Sequence, residues 1–225
     1  QKAVTEFDKG NQLLQEGKLE DAIAAYRRAI QIDFRNAKAY QGLGNTLYDQ
    51  GRLEEAIATY RRAVQISAAN AEAYCGLGNA LLDQKRPEEA IAAYRRAIAL
   101  QPDFVNAHKN LGHALLLIGD FTSGFVEYQW RWQQEGWTVR PFTQPEWDGS
   151  DLHGKTILLH AEQGMGDTLQ FIRYAPLVKA YGGRVIVECQ EPLLRLLTHA
   201  PGIDQLIPQD APLPPFDLHA PLLNL

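Results

Sequence analysis

Cysteine, methionine and long apolar runs are all scarce in this chain. Two cysteines in 225 residues, Cys75 and Cys189, lie far apart in different segments. They are too few for a disulfide scaffold and read as free thiols of a reducing compartment, the cytoplasm. No apolar run approaches the ~18 residues of a membrane span. The opening stretch QKAVTEFDKG has no apolar signal core, so nothing in it directs export. Residue 1 is Gln and the only methionine is Met165, so the expectation is a chain excised or processed from a longer one. Basic excess is missing as well. Residues 1–120 carry 15 Lys/Arg against 15 Asp/Glu, and the remainder 7 against 12. Neither part offers the positive stripe that displaces counterions from phosphates, which excludes nucleic acid as the expected partner. Metal-ligand spacing is missing too. His108 and His113 are five apart, off one helical face, and the other histidines are scattered, so no metal site is expected.

With 45% hydrophobic and 22% charged residues, the composition is that of an ordinary globular chain, and self-similarity is its strongest feature. DAIAAYRRAI (21–30), EAIATYRRAV (55–64) and EAIAAYRRAI (89–98) recur every 34 residues, and residues 36–69 match 70–103 at 21 of 34 positions. Each unit reads as two helices. Tyr40, Leu43, Gly44 and Leu47 form one helical stripe, Gly51 stops it, and Leu53, Ala56, Ile57, Tyr60, Ala63 and Val64 form the next. Gly44 and Gly78 are small where helices cross closely. Tyr60 and Tyr94 are large where the next repeat is filled. One helix pair cannot bury its apolar face alone, so the pairs stack into a solenoid.

This pattern resembles the tetratricopeptide repeat (TPR), with three good units starting near Ala3, Ala37 and Ala71. A fourth over 105–134 departs from the pattern, with Gly124 in the slot of Ala22, Ala56 and Ala90, and with Trp130 and Trp132 added. The first helices line the inner surface of such a solenoid. Asn11, Asn45 and Asn79 fall at one point of successive repeats, with His113 in the fourth slot. An amide ladder there can hydrogen-bond an extended peptide backbone without reading its sequence. The alternative is that these amides make only solvated or local helix contacts. The basic groups of a carboxylate clamp are absent at the corresponding positions, Phe7, Gln41, Cys75, Gly42, Gly76 and Glu72, so a receptor for chaperone tails is not expected.

From about residue 134 the helical period stops. Residues 135–155 read as a linker, in which Trp137 and Trp147 either stack on a ligand or anchor one domain on the other. Strand-like runs then alternate with helical ones: TILLHAE (156–162), a helix over 168–183, RVIVECQ (184–190), a helix over 191–202, DQLIPQ (204–209) and FDLHA (216–220). Strand–helix–strand order predicts a parallel α/β unit. The turn EQGMGD (162–167) is its chemical centre. Gly164 and Gly166 let backbone approach a ligand, and the helix that follows, with Thr168, offers N–H groups to an anion. Asp167 sits at a strand's carboxyl end, where such sheets place their sites. Leu169 stands where a dinucleotide fingerprint needs glycine, and no P-loop is present, so no cofactor is expected. The plain alternative is a tight turn made by the glycines, with Asp167 capping the helix.

The run GFVEYQWRW, PEWDG, GKTILLHAEQGMGDTLQFIRYAPLVKAYGG, VIVECQEPLLRLL and FDLHAPLLNL is similar to TPR-containing bacterial glycosyltransferase-like proteins, whose catalytic part looks like that of the heptosyltransferases. The resemblance covers about residues 121–225. It implies a GT-B architecture of two Rossmann-like domains. It also implies that Asp167, in the Gly-Asp-x-Leu turn completed by Leu169, is the general base that deprotonates an acceptor hydroxyl while a nucleotide leaves the sugar. The expected architecture is therefore an α-helical TPR solenoid of three to four repeats over 1–134, the linker, and a partial Rossmann-like α/β domain over 156–225. The expected function is a TPR interaction module on a sugar transferase that uses a nucleotide-sugar. Because the family's donor site lies mainly in the second domain, this chain alone is expected to be inactive. A non-catalytic scaffold with a degenerate docking module is the rival class. Ile203, Leu206, Ile207, Phe216, Leu218, Leu222 and Leu223 are expected to be exposed beside unpaired strand edges and to drive self-association through the C-terminal part.

Overall fold

The computed structural model describes residues 1–133, 140–162 and 164–225 and divides into two compact units, 1–139 and 140–225. The first unit consists of helix pairs: α1 (Lys2–Gln15) with α2 (Leu19–Ile32), α3 (Ala37–Asp49) with α4 (Leu53–Ile66), α5 (Ala71–Asp83) with α6 (Pro87–Leu100), and α7 (Val105–Leu117) with the short α8 (Phe121–Tyr128). The local chemistry explains the boundaries. Asn36 and Asn70 cap α3 and α5, each side chain accepting from the N–H three residues on at 3.0 Å, and Asp120 caps α8 through Ser123 N–H. Gly51 follows α3 with φ +72°. Lys85 takes the same slot after α5 at φ +62° without being glycine.

Tyr26, Tyr60 and Tyr94 are fully buried and hold the stack together. A Cβ on Gly44 would stand 2.8 Å from the Tyr60 ring, and one on Gly76, in the next repeat, 2.6 Å. Tyr26 and Tyr60 thus each fill the space between a glycine of their own repeat and a glycine of the following one, Gly10 and Gly42 for the former, while Tyr94 meets Gly78 of its own repeat and the next repeat carries Asn110 in the second slot. Exposed ion pairs repeat with the same period, Arg27 to Glu55 and Arg61 to Glu89, but such pairs contribute little.

The fourth repeat tightens. A Cβ on Gly112 would lie 2.6 Å from the Tyr128 backbone nitrogen, and one on Gly124 would lie 2.8 Å from the Leu116 side chain, so α7 and α8 cross closely where both are glycine. A short 3-10 turn (Gln129–Gln133) ends the described part of the unit. In it Arg131 is buried, lying over the Tyr128 and Trp132 rings, and Trp130 stacks on His108 at 3.9 Å.

The second unit is a four-stranded parallel sheet of order β3-β2-β1-β4: β1 (Thr156–His160), β2 (Arg184–Cys189), β3 (Gln205–Pro208) and β4 (Leu218–Pro221). Strand pleating sorts the residues into two faces. Ile157, Leu159, Val185, Val187, Cys189 and Ala220 join the main core with Ala175, Val178 and Leu197 of α10 (Ala175–Ala180) and α11 (Leu194–Leu197). The other face has a smaller core of Leu158, Ile186 and Ile207 under Phe142, Leu213 and Phe216. The helix expected over 168–183 begins earlier, as α9 (Met165–Phe171), and breaks at Ile172–Tyr174 just before Pro176. Of the helix expected over 191–202, a 3-10 turn and the single turn of α11 form.

Two expectations are corrected. Residues 140–155 are not a linker. Leu152 is fully buried in the main sheet core, Trp147 packs edge-on to Tyr181 at 5.3 Å and donates to Ser150 C=O, and Glu146 bridges His219 alongside β4. Trp137 and the rest of 134–139 lie outside the described residues. None of the seven apolar residues expected at an open edge is exposed. Residues 145–147 pair with the outer edge of β4, and the turn Leu222–Asn224 folds back beside α9. The apolar set expected at an open edge is therefore buried or half-buried, the edge of β4 is paired, and β3 forms the other edge of the sheet.

The smaller face also holds a buried polar group that the sequence does not announce. Glu188 is fully buried and paired with Arg140. His160 is buried opposite Glu188 in the strand register, with Phe142 tilted against both His160 and His219. Burial, reinforced by the neighbouring His219 and Arg140 charges, pushes the His160 imidazole down to about 3. The folded pKa is below that of the unfolded chain, so this stability is fully present above about pH 6.5 and is lost as pH falls from there toward 3. The slope for one such group is ~1.4 kcal/mol per pH unit. His160→Leu should flatten the fall in the urea midpoint between pH 7 and pH 4, and an unchanged slope would remove His160 from this role.

Candidate functional site

The first candidate is the inner surface of the helical unit. Tyr26 hydroxyl donates to Asn11 Oδ1 at 2.7 Å, Tyr60 to Asn45 Oδ1 at 2.7 Å and Tyr94 to Asn79 Oδ1 at 2.8 Å. The three amides expected in a row thus share one bonding pattern, repeated with the chain's period. Asn45 is exposed and Asn11 and Asn79 are half-buried, so all three remain reachable. A depression of about 410 Å³ is lined by Asn45, Tyr48, Glu72, Cys75, Asn79, Lys109 and Asn110 among others. A second of about 260 Å³ is lined by Phe7, Asn11, Tyr26, Lys38 and Asn45. Asn45 lines both, which makes them one groove.

The groove has mixed charge. Gln41 donates to Glu72, and Tyr48 donates to Asp83 at 2.7 Å; burial, reinforced by that bond, raises the Tyr48 phenol to about 12. Cys75 is buried in the groove floor, and burial pushes its thiol to about 11, so it stays a neutral thiol. His113 is exposed in the fourth slot. The Asn–Tyr bonds were missed in the sequence, although the constant separation of fifteen residues is visible there. Finding them requires knowing that the two helices of a repeat lie side by side.

The second candidate is the turn after β1. Order β3-β2-β1-β4 makes β1 the strand from which the chain proceeds to one side and to which it returns on the other. Crevices of parallel sheets open at the carboxyl end of that strand. Gly164, at φ −68°, is the N-cap of α9, and among the described residues no side-chain cap bond is made. Asp167 is therefore not a cap but the third helical residue, half-buried in the first turn. Gly166 is the second residue of α9, and neither glycine has positive φ. A Cβ on Gly166 would meet nothing within 4 Å, and one on Gly164 only Asp167 Oδ2 at 3.9 Å. Gln163 lies outside the described residues. Thr168 is buried, and its hydroxyl bonds Gln190 Oε1 at 2.9 Å, bracing α9 against the end of β2. No group of three His, Cys, Asp or Glu among the described residues is placed to hold a metal ion, and no helix among them is long and apolar enough to cross a membrane.

Paired helices of 34-residue period around buried tyrosines define a repeat protein, and the repeats are of a known kind. Residues 10–51, 44–85 and 78–119 each match the family model described as TPR repeat. No curated protein matches the chain. Among solved structures, the chain is similar to YrrB, described as a TPR protein with an unusual peptide-binding site, at 25% identity and TM-score 0.53, over 59% of this chain and 69% of that one. It is similar to the first TPR of Spaghetti (RPAP3) bound to the HSP90 peptide SRMEEVD, at 24% identity and TM-score 0.51, over 52% and 93%. It is also similar to a Thermobaculum terrenum O-GlcNAc transferase mutant, at 19% identity and TM-score 0.56, over 92% of this chain and 41% of that one. The last two likenesses are of fold alone.

Proposed function

We propose that this chain is the peptide-recruiting arm and first α/β part of a cytoplasmic bacterial sugar transferase of GT-B, heptosyltransferase-like type. The observation that carries the reading is the row of reachable amides, Asn11, Asn45 and Asn79, each held by a tyrosine in one continuous groove. Such a row suits an extended polypeptide, because backbone polar groups recur along it whatever its side chains. Peptide binding in the described YrrB and Spaghetti structures supports the same use. In this reading the groove delivers a protein acceptor, and the turn after β1 meets the sugar donor or acceptor.

Asp167 takes the acceptor hydroxyl proton as the nucleotide leaves the sugar. Gly164 and Gly166 leave room for the substrate, and Thr168 steadies the helix that carries Asp167. The sequence resemblance of EQGMGDTLQFIRY and the fold likeness to an O-GlcNAc transferase support the transferase half. The two free, buried thiols fit a reducing cytoplasm.

Gly166→Ala separates this reading from a scaffold. Gly166 is the second residue of α9, at a negative φ that alanine also adopts, and open space surrounds it. The variant should therefore melt at the same temperature or slightly higher. In the full-length protein its transfer of sugar from a nucleotide-sugar should nonetheless fall, because a methyl group now occupies the substrate's room. Unchanged transfer would favour the scaffold.

A further inference from the structure

We infer that Tyr26, Tyr60 and Tyr94 set the polarity of the amide row, so that the groove takes a peptide by its carbonyl oxygens and has no need of its N–H groups. The inference rests on the peptide reading above and deepens it. A carboxamide has one accepting end and one donating end. In all three repeats the accepting oxygen takes the tyrosine hydroxyl proton, at 2.7, 2.7 and 2.8 Å, which leaves the NH₂ end for the groove. At Asn79 the oxygen also accepts from Asn110 Nδ2 at 2.9 Å, so both of its lone pairs are used; at Asn11 and Asn45 the tyrosine hydroxyl takes one of the two and fixes which end of the amide faces the groove.

The hydroxyls are fixed because the rings are. A Cβ on Gly10 would stand 2.6 Å from the Tyr26 ring and one on Gly42 2.8 Å, so the ring is gripped from two helices. Gly44 and Gly76 grip Tyr60 in the same way. Burial raises all three phenols above their ordinary value, which keeps them protonated and donating. The chain of control therefore runs from helix packing to ring, from ring to hydroxyl, and from hydroxyl to the carboxamide that meets the ligand. The tyrosines are positioning residues.

A row of donors matches a row of acceptors. Backbone carbonyls are the acceptors that every residue carries, proline included. A strand-like ligand that pairs through both N–H and C=O loses a bond at each proline. A ligand read by its carbonyls alone loses nothing there. Proline also favours the extended polyproline conformation before binding, which lowers the ordering cost. The partner this groove fits is thus an extended segment in which proline is tolerated or abundant. The row closes at the fourth repeat, where His113 replaces asparagine.

Two capped dodecapeptides test this by calorimetry on the full chain, one alternating serine with proline, the other serine with alanine. The proline peptide should bind at least as tightly as the alanine one. Combining Tyr26→Phe, Tyr60→Phe and Tyr94→Phe should weaken both about tenfold, as expected when fixed donors are set free. On adding peptide, the side-chain NH₂ signals of Asn11, Asn45 and Asn79 should move in the wild-type chain and respond far less in that variant at matched saturation, a difference that a purely structural role in the core would not produce. If the alanine peptide binds ten times more tightly than the proline peptide, the polarity is wrong while peptide capture stands. Unaltered affinity in the tyrosine variant overturns the positioning role. Binding of neither peptide overturns the peptide reading and this inference with it.

Discussion

Asp167→Asn should lower sugar transfer by the full-length protein about 10²–10⁴-fold, the range a positioned general base contributes. The substitution keeps size and shape and removes only the ability to accept a proton. The structure makes this a clean experiment. Asp167 is not the N-cap of α9, which is Gly164, and no side-chain cap bond is made among the described residues. The fold should lose no more than the attraction of a carboxylate to the helix N-terminus, about 0.3–1 kcal/mol. Turnover should therefore collapse while the melting temperature barely moves. Turnover within a few-fold of wild type would leave Asp167 as a helix-end charge and nothing more. Steady-state transfer assays and thermal melts on the same preparation give both readings.

Gly112→Ala should be among the most destabilising single-methyl changes in the helical unit. The new methyl carbon would stand 2.6 Å from Tyr128 N and 2.9 Å from Gly124 O, both backbone atoms that cannot rotate away. Helices α7 and α8 must then separate, at a cost of about 3 kcal/mol. For a chain of this size that corresponds to a fall of roughly 6–12 °C in melting temperature. Gly78→Ala presses instead on the Tyr94 ring, a side chain, so it should cost less. A Gly112→Ala protein that melts like wild type would mean that the fourth repeat is looser than its geometry.

The helical half was legible because its information is local and repeated. A period of 34 residues, stop signals near residues 17, 51 and 119, and glycines facing tyrosines all stand in the linear text. Gly124, which departs from the alanine of the other repeats, is the exception. It stands for alanine where α7 and α8 cross closely, and no single repeat carries that fact. The sheet half was legible strand by strand but not as an assembly. Its four strands were found, yet their neighbours were not, since order β3-β2-β1-β4 depends on contacts dozens of residues apart. The burial of Leu222 and Leu223, the Glu146 bridge to β4 and the Arg140–Glu188 pair all follow from that order. The turn at 162–167 was located by its glycines. Which residue caps the helix and which carries a free carboxylate is a matter of one helical position, and sequence patterns rarely resolve helix ends that finely.

Capture of an extended peptide by the amide row is the central claim, and one measurement tests it most directly. The variant combining Asn11→Ala, Asn45→Ala and Asn79→Ala is compared with wild type for binding of an unstructured, capped peptide. The account predicts at least a tenfold loss of affinity. The melting temperature should fall but the protein should stay folded, because the three buried hydroxyls lose their acceptors while the tyrosine rings that fill the stack stay in place. Affinity equal to wild type in the triple variant would contradict the account and move any binding surface to the outer helices or to the ends of the solenoid.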